Sequence, residues 1–212
     1  VHLGKTLTAH DFEVRAPEGA NAVTAKVIGV IENQAPTKEL TANLSVIHTV
    51  VEPAEAHDVD KIALVERHRG TGGVTQGFVS GFGYKGRMAM ASTVAHDSHH
   101  MIVVGTDRKN MALAANRLGE VGGGITVFRD GAEIALVELP VAGLMSQDHA
   151  REVAAKAERM VEAMAECGCT LNNAYMQHSL LALVVIPSLR ISDLGLVDVD
   201  RFELTSLLKD PA

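Results

Sequence analysis

Met88-Ala-Met-Ala-Ser-Thr-Val-Ala-His-Asp-Ser-His-His-Met-Ile-Val-Val104 sets two apolar runs on either side of a polar insert, Ala95 to His100. Each run is short, apolar and of strand length, so the segment reads as two buried strands joined at the insert. The insert packs His96, Asp97, His99 and His100 into five consecutive positions, with Ser98 between them. Neither a buried strand nor a surface helix needs that composition in order to fold. Imidazole titrates nearest neutrality and is the commonest metal ligand. A neighbouring carboxylate can orient the ring, hold a metal or move a proton. A rigid strand junction presenting such groups is where chemistry is expected.

Upstream, Asp58 to Glu66 carries Ile62, Leu64 and Val65 as a buried strand and runs into the charged, glycine-rich stretch Glu66 to Gly73. Val74 to Phe82 resumes as a strand. Before these, Lys26 to Ile31 and Thr41 to Val51 read as strands too few to hold a core, so they complete a sheet elsewhere. Downstream, Asp107 caps a helix whose face is Met111, Ala114, Ala115 and Leu118, stopped by Gly122 to Gly124. Asp130-Gly131 between Ile125–Phe128 and Ala132–Leu139 is the strongest hairpin signal. Ser146 is expected to cap a longer helix with a stripe of Val153, Ala157, Met160, Val161 and Met164, ended by Gly168. Leu180 to Ile186 reads as a helix end or a strand, and the tail from Asp193 as turn-rich. Without a regular strand–helix alternation, the fold class is α+β: a mixed sheet with a few packed helices.

The chain has 212 residues, 47% hydrophobic and 21% charged, with 3% aromatics and no Trp, so aliphatic and Met side chains must fill the core. A net charge of −7 argues against a nucleic-acid or anionic-membrane surface. No apolar run is long enough to span a bilayer, and no signal peptide is evident. Cys167 and Cys169 stand two apart, a strained spacing for a bridge, and read as reduced thiols of a cytoplasmic protein. The first residue is Val1 rather than Met, which points to an upstream segment.

Gly4-Lys5-Thr6 lacks the upstream glycine of a phosphate loop, and no Gly-x-Ser-x-Gly is present. If extended, the insert puts His96, Ser98 and His100 on one face and Asp97 and His99 on the other. A complete metal site within it is therefore not expected. Two readings stay open: side chains that join a ligand or substrate held from another segment, or a polar turn with solvated histidines. Glu66-Arg67-His68 likewise either orients a polar ligand or pairs with Asp97, or is a solvated loop with an internal Glu–Arg pair, which residue physics favours.

Beyond these readings, Glu66-Arg-His-Arg-Gly-Thr-Gly72, Gly77-Phe-Val-Ser-Gly-Phe-Gly83, Ser92-Thr-Val-Ala-His-Asp-Ser-His99 and Val103-Val-Gly-Thr106 follow one another in this order. Asn116-Arg-Leu118 with Gly122-Gly-Gly124, Leu139-Pro-Val-Ala-Gly-Leu-Met-Ser146 and Gly195-Leu-Val-Asp-Val199 continue the series. With these motifs the chain resembles the C-terminal region of bacterial adenine deaminases, over about Val27 to Phe202. His100 departs from the asparagine usual there. The resemblance implies a cytoplasmic, metal-dependent hydrolase of purine salvage that converts adenine and water to hypoxanthine and ammonia. It implies a Mn or Fe centre in a β/α barrel, where the metal lowers the pKa of bound water.

This chain has too few residues for eight βα units and no His-x-His pair, so no such barrel is expected in it. The resemblance divides it into residues 1–52, returning strands of a small β domain, and 53–212, the family's C-terminal α+β domain. The expected partners are the N-terminal barrel of the same enzyme, adenine and further copies of the chain. His96, Asp97 and His99 are then the expected catalytic residues, in a supporting role at the barrel mouth, where they contact substrate, a metal-bound water or the groups around the metal's ligands. Ser98, Glu66, Arg67 and His68 are the expected substrate-binding or loop-supporting residues, with no metal ligand assigned. A purely structural or oligomerisation domain is the alternative, and the fragment alone is expected to be inactive.

Overall fold

The computed structural model describes residues 1–209; the last three residues of the 53–212 segment lie outside the described residues. Among the described residues, twelve strands and three α-helices form an α+β fold with a large mixed sheet. The strands of the large sheet are β1 (Ala22–Gly29), β2 (Lys38–Ile47), β3 (Val50–Val51), β4 (Val59–Val65), β5 (Val74–Ser80), β6 (Met88–Ser92), β7 (Met101–Gly105), β8 (Gly124–Arg129) and β9 (Ala132–Glu138). Their order is β3-β2-β1-β5-β4-β7-β6-β8-β9. Neighbours run antiparallel except β1 and β5, which pair in parallel over Ile28↔Val79 and Gly29↔Ser80. The strands of residues 1–52 thus lie in the same sheet as those that follow, joined through that short pair.

All seven residues of β4 are buried because both faces of the sheet are covered. Ile62 and Leu64 pack with α2 (Ala150–Glu166), α3 (Ala174–Leu180) and the C-terminal strands on one side. Ala63 and Val65 pack with α1 (Arg108–Glu120) on the other. Helix α1 matches its sequence reading: the Asp107 carboxylate accepts from the Asn110 N–H at 2.9 Å, and Met111, Ala114, Ala115 and Leu118 are buried. The Asp130-Gly131 hairpin also forms, between β8 and β9.

Three expectations are corrected. Ser146 does not cap α2; its hydroxyl accepts from the Asp148 N–H in the preceding turn, and His149 takes the cap position. The helix is also rotated, burying Met160, Ala163 and Met164 while Ala157 and Val161 face outward. The tail is more ordered than its composition suggests: β10 (Leu189–Ser192), β11 (Gly195–Asp198) and β12 (Glu203–Thr205) make a second antiparallel sheet. Leu180 to Ile186 is mostly turn following α3.

Candidate functional site

The sheet register brings the candidate loops to one end. Val65 pairs with both Val74 and Met101, Ser92 with Ile102 and Ile125, and Gly124 with Glu138. Loops 66–73, 93–100, 121–123 and 139–149 therefore leave the sheet side by side. Thr93 ties three of them: its hydroxyl donates to the Gly143 carbonyl at 2.6 Å and accepts from the Gly124 N–H at 2.8 Å. Gly143, at φ 75°, is required there, because a Cβ would stand 2.9 Å from Nη1 of Arg67.

The 95–100 insert is a tight turn, not an extended strand end, so the expected alternation of faces does not hold. The His99 N–H donates to the Ala95 carbonyl at 2.7 Å, and His99 sits at φ 51°. The turn brings the rings of His96 and His99 to 5.5 Å, centroid to centroid, although extended backbone would have put them on opposite faces. Both rings are partly exposed, while Asp97 and Ser98 are exposed. His96 docks on the end of α3: its N–H donates to the Ser179 carbonyl, and its Nδ1 lies 2.6 Å from Ser179 Oγ. The Ala95 N–H donates to His99 Nδ1 at 3.2 Å. Burial lowers the His99 pKa, with His96, Arg67 and His68 adding to the shift and Asp97 opposing it.

Arg67 and His68 support this turn. Arg67 is 5% exposed and donates to the carbonyls of His99 at 2.5 Å and Ala142 at 3.0 Å. It makes no pair with Asp97, correcting that option. His68 Nε2 lies 2.7 Å from the Ser98 carbonyl, and its ring is 4.7 Å from that of His100. Nor does Glu66 pair with an arginine: its oxygens accept from the N–H groups of His68, Arg69 and Thr71 and from the Thr71 hydroxyl. Burial pushes the Glu66 carboxyl up, but these donors outweigh it and bring the pKa to about 2. Glu66 and Arg67 thus spend their polar atoms on loop backbone, because a buried strand end must satisfy the groups that its turn leaves open.

His100 is buried beside a cleft of about 530 Å³ lined also by Glu66, His68, Arg69, Thr71 and Asp193. Its Nε2 lies 3.6 Å from Asp193 Oδ2; burial lowers its pKa and Asp193 opposes that shift. Ser179 and Asp193 carried no signal in the sequence. They reach the site from segments 80 or more positions away from the turn, which spacing cannot reveal. Cys167 and Cys169 are free and buried. Among the described residues no three His, Cys, Asp or Glu side chains stand close enough to share a metal ion. The residues present therefore do not fit a complete Mn or Fe site. Among the described residues no helix is long and apolar enough to cross a membrane.

Comparison with known proteins places this arrangement in a family. The adenine deaminase C-terminal domain model matches residues 34–203. An adenine deaminase of Ruegeria pomeroyi is 75% identical over 210 residues, covering 99% of the chain and 35% of that relative. One of Roseobacter denitrificans is 71% identical over 211 residues, covering 100% of the chain and 35% of the relative. One of Moorella thermoacetica is 43% identical over 208 residues, covering 98% of the chain and 35% of the relative. The chain thus spans about a third of the length of the curated relatives it matches. It belongs to the adenine deaminase C-terminal domain family.

Proposed function

We propose that this chain forms one wall of an adenine deaminase active site, closing over a metal-bearing amidohydrolase barrel supplied by the part of the enzyme that the chain does not span. The observation that carries the reading is the 95–100 turn. It is braced from two other segments, by Arg67 and His68 on one and Ser179 on the other, and it presents two partly exposed imidazoles and a carboxylate at one end of a rigid sheet. Bracing of this kind is what positioning of a reacting ligand requires, and a solvated turn has no need of it.

In this reading the whole enzyme turns adenine and water into hypoxanthine and ammonia in the cytoplasm, serving purine salvage. His96, Asp97 and His99 bind and orient the purine and screen it from bulk water, with Ser98 exposed beside them. Glu66, Arg67 and His68 hold the loops on which they stand. The Mn or Fe implied for the enzyme is assigned to the barrel. Residues 1–52 are taken as returning strands of a small β domain, and 53–212 as the family's own α+β domain. The test is His96→Ala in the whole enzyme: turnover of adenine is expected to fall with metal content retained. Unchanged turnover would overturn the reading.

A purely structural or oligomerisation role is favoured by a different observation. Helix α2 leaves Ala150, Ala154, Ala157, Val161 and Ala165 exposed beside its buried face, as a surface covered by another copy or domain would. In that case His96→Ala would leave turnover intact, and a charge at Val161 would change the oligomeric state.

A further inference from the structure

We infer that His99 is a fixed hydrogen-bond donor, presenting Nε2–H to a ring-nitrogen acceptor of an amino-substituted heteroaromatic ligand, and that it is neither a general base nor a metal ligand. The inference deepens the proposed function and rests on its placement of the turn at the substrate. A neutral imidazole has one N–H and one lone pair. A backbone N–H can only donate, and the Ala95 N–H points at His99 Nδ1 from 3.2 Å. The lone pair must therefore lie on Nδ1 and the proton on Nε2. Adding a second proton would set two N–H groups against each other. It would also place a cation in a half-buried position facing the Arg67 guanidinium, His96 and His68, with only Asp97 in its favour. Nε2 makes no hydrogen bond among the described residues, so this donor is free for a ligand.

His96 is held differently. Its Nδ1 faces a hydroxyl, Ser179 Oγ at 2.6 Å, which can either donate or accept. Where Nδ1–H donates to Ser179, Nε2 keeps its lone pair and accepts from an amino group. Two rings 5.5 Å apart then offer a donor and an acceptor, the complement of an amidine edge in which a ring nitrogen lies beside an amino group. Ser179 is the positioning residue for that second role.

The tautomer is read directly from nitrogen-15 spectra of the whole enzyme labelled at histidine, with His99 assigned by its loss in His99→Gln. A pyridine-like Nδ1 and a protonated Nε2 at neutral pH are expected. A protonated Nδ1 would overturn the donor inference alone. Adenine kinetics supply the second arm. His99→Gln keeps a side-chain N–H and is expected to hold KM within about threefold, whereas His99→Glu, with acceptors only, raises it at least about tenfold at unchanged unfolding temperature. Equal effects of the two variants would overturn the donor role. A protonated Nε2 with no kinetic effect of either variant would overturn the ligand assignment, and with it the placement of the turn at the substrate.

Discussion

Replacing Arg67 with methionine keeps a long apolar stem under the turn while deleting the guanidinium. Two carbonyls, His99 at 2.5 Å and Ala142 at 3.0 Å, then lose their donor. A buried acceptor left unsatisfied costs about 1–3 kcal/mol, so the pair gives about 2–6 kcal/mol. Water reaches both carbonyls, because His99 is half-buried and Ala142 is exposed, which favours the low end of the range, about 2 kcal/mol. For a chain of this size that lowers the unfolding temperature by roughly 4–8 °C. Urea unfolding would read the loss, and amide hydrogen exchange would locate it at 93–100 and 140–145. Arg69→Met is the control, since Arg69 is exposed and its replacement should stay within about 0.5 kcal/mol. A loss below about 0.5 kcal/mol for Arg67→Met, with exchange unchanged in both loops, would refute the bracing role.

Two further predictions concern pH. The Glu66 carboxylate titrates at about 2 when folded against an ordinary 4.5, so its contribution is whole above pH 4.5 and is lost as pH falls toward 2. Glu66→Gln should cost about 2 kcal/mol near neutrality and flatten that acid limb in urea titrations; an acid limb like the parent's would contradict the account. His178 is fully buried, and burial lowers its pKa from 6.5 to about 3. The unfolded chain takes up a proton there that the folded chain refuses, so stability is lost as pH falls through 6.5 toward 3. His178→Met should therefore gain on the parent between pH 8 and pH 5, and the opposite trend would show that His178 finds a partner when charged.

Elements with one dominant local signal were legible in the sequence. Asp107 before an apolar stripe, Asp-Gly between two strands, and the continuous apolar run of β4 each named their structure, because capping, turn geometry and two-sided burial act within a few residues. Helix α2 shows where this ends. Its apolar arc runs from Ala163 and Met160 past Val153 to Ala157, Val161 and Ala165, wider than the sheet can cover, and alanine adds too little area for periodicity to choose a face. The start of that helix was displaced because the chain uses the Ser146 hydroxyl in the turn before it, which leaves His149 at the cap position. The second sheet hid behind polar residues because its strands are only three or four residues long. At the candidate site, composition singled out the insert from Ala95 to His100. Its arrangement depended on a tight turn and on Ser179, 83 positions away from His96, which no local pattern encodes.

The central claim is that this chain is one wall of a site completed elsewhere. It is tested most directly by following adenine loss with added Mn²⁺ or Fe²⁺ for the chain alone and for the chain mixed with the barrel portion that the proposal assigns to the enzyme. Turnover only on mixing is the predicted result. Turnover by the chain alone would place a whole catalytic site around His96 and contradict the account.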